Sequence, residues 1–410
     1  MPDRRLKIAM LSVHSCPVGN LGAKDTGGMS VYVQELAREL GKQGHLVDVY
    51  TRVHDPEDPQ IVNIGQNARL IHIKAGDDTE IHKLAVYSFL PDFACNLEDY
   101  RKENSLQYDL VFSHYWLSGW VGKYLQQWWH VPHIIMFHTL GVIKNAIGIG
   151  EDEPELRIET ERDLARNCHR IIASTERERK ELVSRYGSSE DQIGVIPCGV
   201  NLELFQPMDK GMARQHIGLA NGNVILFVGR IDPLKGVDQL LKALQYLRNG
   251  HESKLVIIGG DEQSQHEVER LQALSHDLHI QDSVDFLGMV KYEQMPYFYN
   301  AADVCVVPSY YESFGLVALE SLACGTPVVA SDVGDLKSII RQGETGYVVD
   351  DNTPDKLATK MALLLSRPDR DSESTLLIRE SVNRFSWPNI TKTIVRECRL
   401  VLTNFATPVL

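Results

Sequence analysis

The sequence predicts an α/β protein built as two doubly wound parallel-sheet domains, each sheet covered on both faces by helices. Three observations predict it. At 410 residues, the chain is longer than one hydrophobic core usually serves. Short apolar, β-rich runs alternate with segments of helical spacing along nearly all of it. The alternation breaks once, at PCGVNLELFQP (197–207), and a fresh series of similar length follows.

In order, the first half reads as a strand at 8–13, a glycine-rich loop, a helix at 31–40 with Val31, Leu36 and Leu40 on one face, and a strand at 47–51. Strands at 70–73, 110–113, 134–137, 171–174 and 195–196 follow, with helices between most of them. Near-continuous apolar strands of this kind suit a parallel sheet buried on both faces. The second half reads strand 224–228, helix 237–247, strand 255–259, helix 267–275, strands 284–287 and 304–308, helix 314–323 and strand 328–331. The expected domains are 1–200 and 201–387, with a closing helix at about 388–410 placed to pack back on the first. Ligands of such sheets sit at the carboxyl ends of the strands, so two facing domains enclose a cleft.

Composition narrows the function classes. A formal net charge of -13 argues against nucleic acid as a partner, since that binding draws on surplus Lys and Arg. No run approaches the roughly 20 apolar residues of a membrane span, and the run after MPDRRLK reads as a first strand, not a signal peptide. Seven scattered cysteines without a CxxC pair read as reduced thiols of a cytoplasmic protein. The 15 histidines show no metal-ligand spacing, so no metal or other cofactor is expected.

Three segments carry chemistry. In SCPVGNLGAKDTGGMSVYV, Gly27 and Gly28 stand where a loop enters a helix, whose first N–H groups suit a phosphate; a plain turn needing glycine is the alternative. Gly19 and Gly22 do not complete G-x-G-x-x-G, which weakens a dinucleotide reading. In VGRIDPLKGVDQLL, Arg230 and Lys235 stand at a strand end and a helix mouth, where two cations can share a diphosphate and stabilise its departure by charge. In PSYYESFGLVALESLACGTPVVAS, Glu312 and Glu320 form E-x7-E across a loop-to-helix junction. Phe314, Gly315 and Leu316 between them offer backbone N–H groups at the helix start. Glu320, among Leu316, Leu319 and Ala323, sits on an apolar face where an unpaired carboxylate is costly; it is placed to accept from ribose hydroxyls, and Glu312 to hold donor-sugar hydroxyls. His138 ends the 134–137 strand and points toward the cleft.

Together, E-x7-E with GTPVVA, the VGR…KG segment, the early GG loop and VIPCGVNLELF resemble the retaining glycosyltransferases of family 4, over nearly the whole chain. The resemblance implies the GT-B fold, two Rossmann-like domains facing across a cleft, and hexosyl transfer from a UDP-sugar without a metal. It implies that Arg230 and Lys235 bind the donor diphosphate, Glu320 the ribose and Glu312 the sugar, with His138 beside the anomeric carbon. DTGGMSVYV, SHYWLSGWVG, FHTLGVIKN and RIETE are most similar to the branches that act on inositol phosphate and that make sucrose phosphate. By position, Lys83, Tyr115, Thr139 and Arg157 then contact a phosphorylated polyol or sugar acceptor. Ser30, also expected at the acceptor, stands where the inositol-phosphate branch carries asparagine, so inositol phosphate and fructose 6-phosphate both remain open. Asp335 replaces the family's second glycine in VGG. Trp128 and Trp129 are expected to pack within the first domain, the alternative being a homodimer or membrane contact. A nucleotide-sugar 2-epimerase and a transferase acting on lipid are the rival activities.

Overall fold

The computed structural model describes residues 4–18, 27–79, 81–219, 222–247, 253–367 and 371–406; Gly19, Gly22 and the last residues of the expected closing helix lie outside these. The first sheet comprises β1 (Lys7–Leu11), β2 (Leu46–Arg52), β3 (Ile61–Gly65), β4 (Ala68–Ile73), β5 (Leu110–His114), β6 (His133–Met136), β7 (Arg170–Ala173) and β8 (Ile193–Val195). Their order across the sheet is β3-β4-β2-β1-β5-β6-β7-β8, and only β3 runs antiparallel to its neighbour among the described strands. The second sheet is wholly parallel, with β9 (Asn223–Val228), β10 (Ser253–Ile258), β11 (Val284–Gly288), β12 (Val304–Val307), β13 (Val328–Ser331) and β14 (Gly346–Val349) in the order β11-β10-β9-β12-β13-β14.

The expected strands are all present, with ends displaced by a few residues, and the structure adds β3 and β14. Central strands are apolar on both faces because helices cover both: Ile8, Ala9, Met10 and Leu11 of β1 are fully buried. Strand order reverses between β1 and β5 in the first sheet and between β9 and β12 in the second. Crevices open at the carboxyl ends of strands where the order reverses. The loops after these four strands carry most of the motifs.

Helix Gly28–Lys42 buries Val31, Val33, Leu36, Ala37 and Leu40 against the first sheet. The last helix, Trp387–Ala406, packs against it and buries Ile390, Ile394, Val395, Cys398 and Val401, and Glu397 holds Arg170 of β7 at 2.6 Å. The chain therefore crosses between the sheets twice, and the two crossings touch. Val200 N–H donates to the Phe385 carbonyl at 2.8 Å, and a Cβ placed on Gly199 would fall 2.4 Å from the Trp387 indole, so that position has room only for glycine. None of the seven cysteines forms a disulfide, and six are buried. No described helix is long and apolar enough to cross a membrane.

The expectation for the tryptophan pair holds for Trp129 alone. Its indole N–H donates to Glu98 Oε2 at 2.6 Å and its ring stacks on Tyr108. Trp128 is 45% exposed, a correction. It belongs with Trp120 and Tyr124 to a stripe at four-residue spacing, beside the face through which helix Tyr115–Trp129 buries Ser118, Gly122 and Leu125.

Candidate active site

The two sheets present their strand ends to one cleft of about 330 Å³, within the size range of small-molecule sites. Gly27, Gly28, Lys83, Tyr115, His138, Thr139, Arg157, Arg230, Lys235, Glu312, Phe314, Gly315, Leu316 and Glu320 all line it. Residues separated by up to roughly 290 positions in the chain are thus gathered in one place.

On the side of the second sheet, two helix starts converge. A Cβ placed on Gly28 would lie 3.1 Å from Leu316 Cδ1, and one on Gly27 would lie 3.9 Å from Arg230 Cδ. The N-termini of helices Gly28–Lys42 and Leu316–Ala323 therefore share a wall with Arg230. Neither start carries a side-chain cap or an acidic residue in its first turn, which leaves their positive ends turned to the cleft. Gly315 reaches this position with φ +121°, in the region that favours glycine. Lys235 follows β9 in a short helical turn capped by Asp232. Its ammonium meets Glu312 Oε1 at 2.6 Å, and Ser309 Oγ donates to the same oxygen at 2.8 Å.

Glu320 is 7% exposed, and its carboxylate is compensated by two phenols. Tyr292 donates to Oε1 at 3.0 Å and Tyr299 to Oε2 at 2.7 Å. Burial outweighs these bonds, and the Glu320 carboxyl is pushed up to about 7. The tyrosines come from the Tyr292 turn and helix Met295–Ala301.

On the side of the first sheet, β5 and β6 both end in strained backbone. Tyr115 has φ +77° and His138 φ +62°, values uncommon for residues with a side chain and concentrated at functional sites. Thr139 N–H closes back on the Phe137 carbonyl at 2.7 Å, a tight turn that swings the His138 ring into the cleft. His138 Nε2 and His114 Nδ1 lie 2.9 Å apart, one donating. Burial holds His138 down at about 3, so it works as a neutral imidazole, giving or taking hydrogen bonds. Arg157 packs over the Tyr115 ring at 4.9 Å and is 1% exposed. Its Nε meets Glu161 at 2.6 Å, one terminal nitrogen meets Glu153 at 2.8 Å, and the other donates to the Thr139 carbonyl and hydroxyl at 2.9 Å. Nε and one terminal nitrogen are thus hydrogen-bonded within the protein, whereas the other terminal nitrogen meets Glu153 as an ion pair without hydrogen-bond geometry.

Comparison with known proteins identifies the family. The pattern described as Glycosyltransferase Family 4 matches residues 26–204, and Glycosyl transferases group 1 matches residues 210–376. The D-inositol 3-phosphate glycosyltransferase of Acidothermus cellulolyticus is 39% identical over 402 residues, spanning 95% of this chain and 89% of that one. The chain belongs to the family 4 glycosyltransferases. A second relative, D-inositol 3-phosphate glycosyltransferase 2 of Catenulispora acidiphila, is 39% identical over 93% of this chain and 92% of its own. Among solved structures, sucrose-phosphate synthase from Thermosynechococcus elongatus superposes with a TM-score of 0.88 at 33% identity, covering 98% of this chain and all (100%) of that one. Anabaena HepE in complex with UDP and glucose, 18% identical over 96% of this chain and 100% of its own, shares the fold with a TM-score of 0.74. The chain is a GT-B glycosyltransferase, a hexosyltransferase by family.

The glycosyltransferase cleft departs from expectation at one residue and adds others. Ser30 does not line it. It is fully buried in the first turn of helix Gly28–Lys42, with its hydroxyl 2.6 Å from Ser15 Oγ; the short side chain turns inward to that partner and away from the cleft. His14 and Lys144 do line it. His14 follows β1 after Ser12 and Val13 and lies 4.5 Å from the Tyr115 ring, centroid to centroid, and burial, then Lys83, hold it down at about 3. Its place at a strand end is the same signal that drew attention to His138. Lys144 lies in helix Gly141–Ile147, within the FHTLGVIKN segment, and pairs with Glu153.

Proposed function

We propose that this glycosyltransferase moves a hexosyl group, glucose or N-acetylglucosamine, from a UDP-sugar to a small phosphorylated polyol or sugar such as inositol phosphate, with retention of configuration. One observation carries the reading: two separate groups of cations line one cleft, Arg230 and Lys235 on one side and Lys83, Lys144 and Arg157 on the other. The first group, with the two helix starts, suits a diphosphate. The second suits the phosphate of an acceptor. Relatives whose names include D-inositol 3-phosphate and sucrose-phosphate support the same division.

In this mechanism the nucleotide lies on the second sheet, with Glu320 accepting from ribose hydroxyls and Glu312 from the sugar. The loaded cleft excludes the water that would hydrolyse the donor. As the bond to the diphosphate stretches, Arg230, Lys235 and the helix N–H groups take the growing negative charge, with no metal invoked. The acceptor hydroxyl attacks the face just vacated and passes its proton to the departing phosphate oxygen. Neutral His138 steadies the sugar by hydrogen bonding and transfers no proton.

The second reading, glucose transfer to fructose 6-phosphate, is favoured by the likeness to sucrose-phosphate synthase along the whole chain. A matrix of UDP-glucose and UDP-N-acetylglucosamine against inositol 3-phosphate, fructose 6-phosphate and their uncharged parents, read by mass, separates the two. Product from uncharged or lipid acceptors alone would remove the phosphate from the proposal. Conversion of the donor without any acceptor would replace transfer by epimerisation.

A further inference from the structure

The second group of cations is held together by one carboxylate that no sequence motif singled out. Glu153 Oε1 lies 2.8 Å from an Arg157 terminal nitrogen, 3.6 Å from Lys83 Nζ, and in contact with Lys144 Nζ. The three cations come from three elements: the start of helix Lys83–Val86, helix Gly141–Ile147 and helix Glu155–Asn167. Like charges brought this close repel unless an anion lies between them. Glu153 supplies it from a fixed place. Its own N–H donates to Asn145 Oδ1 at 2.7 Å, and Asn145 Nδ2 donates back to the Glu153 carbonyl at 3.0 Å. The backbone of residue 153 is thus clamped to the helix that carries Lys144.

We propose that Glu153 is a positioning residue, which gathers Lys83, Lys144 and Arg157 into a single anion site for the acceptor's phosphate; the inference rests on the acceptor reading above. Glu153 is 6% exposed and does not line the cleft, whereas all three cations do. Burial pushes its carboxyl up, but Arg157, then Lys83 and Lys144, outweigh that and bring it down to about 2, so it is charged at neutral pH. Glu161 lies beside Arg157 as a second carboxylate of the cluster. The Lys144 ammonium has three N–H donors, and the one directed at Glu153 fixes its nitrogen at the edge of the cleft.

The test compares wild type, Glu153→Gln, Glu153→Asp and Asn145→Ala in steady-state transfer to fructose 6-phosphate and inositol 3-phosphate, with inorganic phosphate as competitor. Glu153→Gln keeps the shape and removes the charge. Its acceptor KM and the inhibition constant of inorganic phosphate are expected to rise together, roughly 10- to 100-fold for lost charge-assisted bonds. Donor KM and acceptor-free donor hydrolysis should stay unchanged. Asn145→Ala should move acceptor KM the same way by releasing the backbone, and Glu153→Asp should fall between. A general loss of structure would shift donor KM as well; if Glu153→Gln does so, Asn145→Ala carries the test. An acceptor KM unchanged in both variants overturns the role. A lowered one overturns it too, and makes Glu153 a competitor of the acceptor phosphate. If wild type uses inositol and fructose as readily as their phosphates, the acceptor reading falls first and this role with it; a wild-type preference for phosphates that Glu153→Gln leaves intact sinks the role alone.

Discussion

At the scale of single residues, the proposed mechanism separates groups that stabilise charge from groups that orient. It puts Arg230 and Lys235 in the first class. Arg230→Ala and Lys235→Ala should each lower kcat by roughly 10²–10³, the usual cost of removing a preorganised donor from developing negative charge; turnover near wild type in either variant would end that assignment. Glu320 makes a different prediction. Its carboxyl is held up at about 7 by burial, so the acid form persists to neutral pH, and the form that in the proposed mechanism accepts fully from ribose gains as pH rises. Donor KM should therefore fall between about pH 6 and about pH 8, and Glu320→Gln should flatten that dependence. The spacing of Glu312 and Glu320 was legible in the sequence because one helix start fixes both. Tyr292 and Tyr299, which compensate Glu320, were not, since only folding brings a separate turn and helix against it. Ser30 misled for a related reason: position in a motif does not report which way a short side chain turns.

At the scale of elements, long buried strands were the most legible feature, because burial on both faces leaves an uninterrupted apolar run. β3 was missed: it is a short antiparallel edge strand, IVNIG, broken by Asn63 and with Ile61 exposed, so no uninterrupted apolar run marks it. The helix start at Gly315 was visible as a loop-to-helix junction, but its geometry was not. With φ +121°, and Leu336 Cδ2 2.6 Å from where a Cβ would sit, Gly315→Ala should cost ~1–3 kcal/mol. The substitution should also raise donor KM, because strain at the N-cap turns the helix N–H groups away from the cleft. A thermal melt beside donor kinetics checks both effects, and an unshifted melting temperature would show that the backbone relaxes freely.

At the scale of the whole molecule, the last helix belongs in space to the first sheet although it follows the second in sequence. Trp387, Ile390, Ile394, Val395, Cys398 and Val401 are buried on it, each contributing up to ~1.5–3 kcal/mol on burial. Against a net stability of ~5–15 kcal/mol, a chain ending before Trp387 should lose its cooperative thermal transition, followed by circular dichroism; a sharp melt near the wild-type temperature would contradict this. The meeting of the two inter-sheet crossings at Val200 and Phe385 has a mechanical consequence. Two covalent tethers spaced by one hydrogen bond act as a single pivot, so rotation about the line they share is the soft coordinate and sliding is stiff. Displacement then grows with distance from the pivot, least beside Gly199 and largest at the lips of the cleft. One pair of fluorophores spanning those lips suffices to follow the motion.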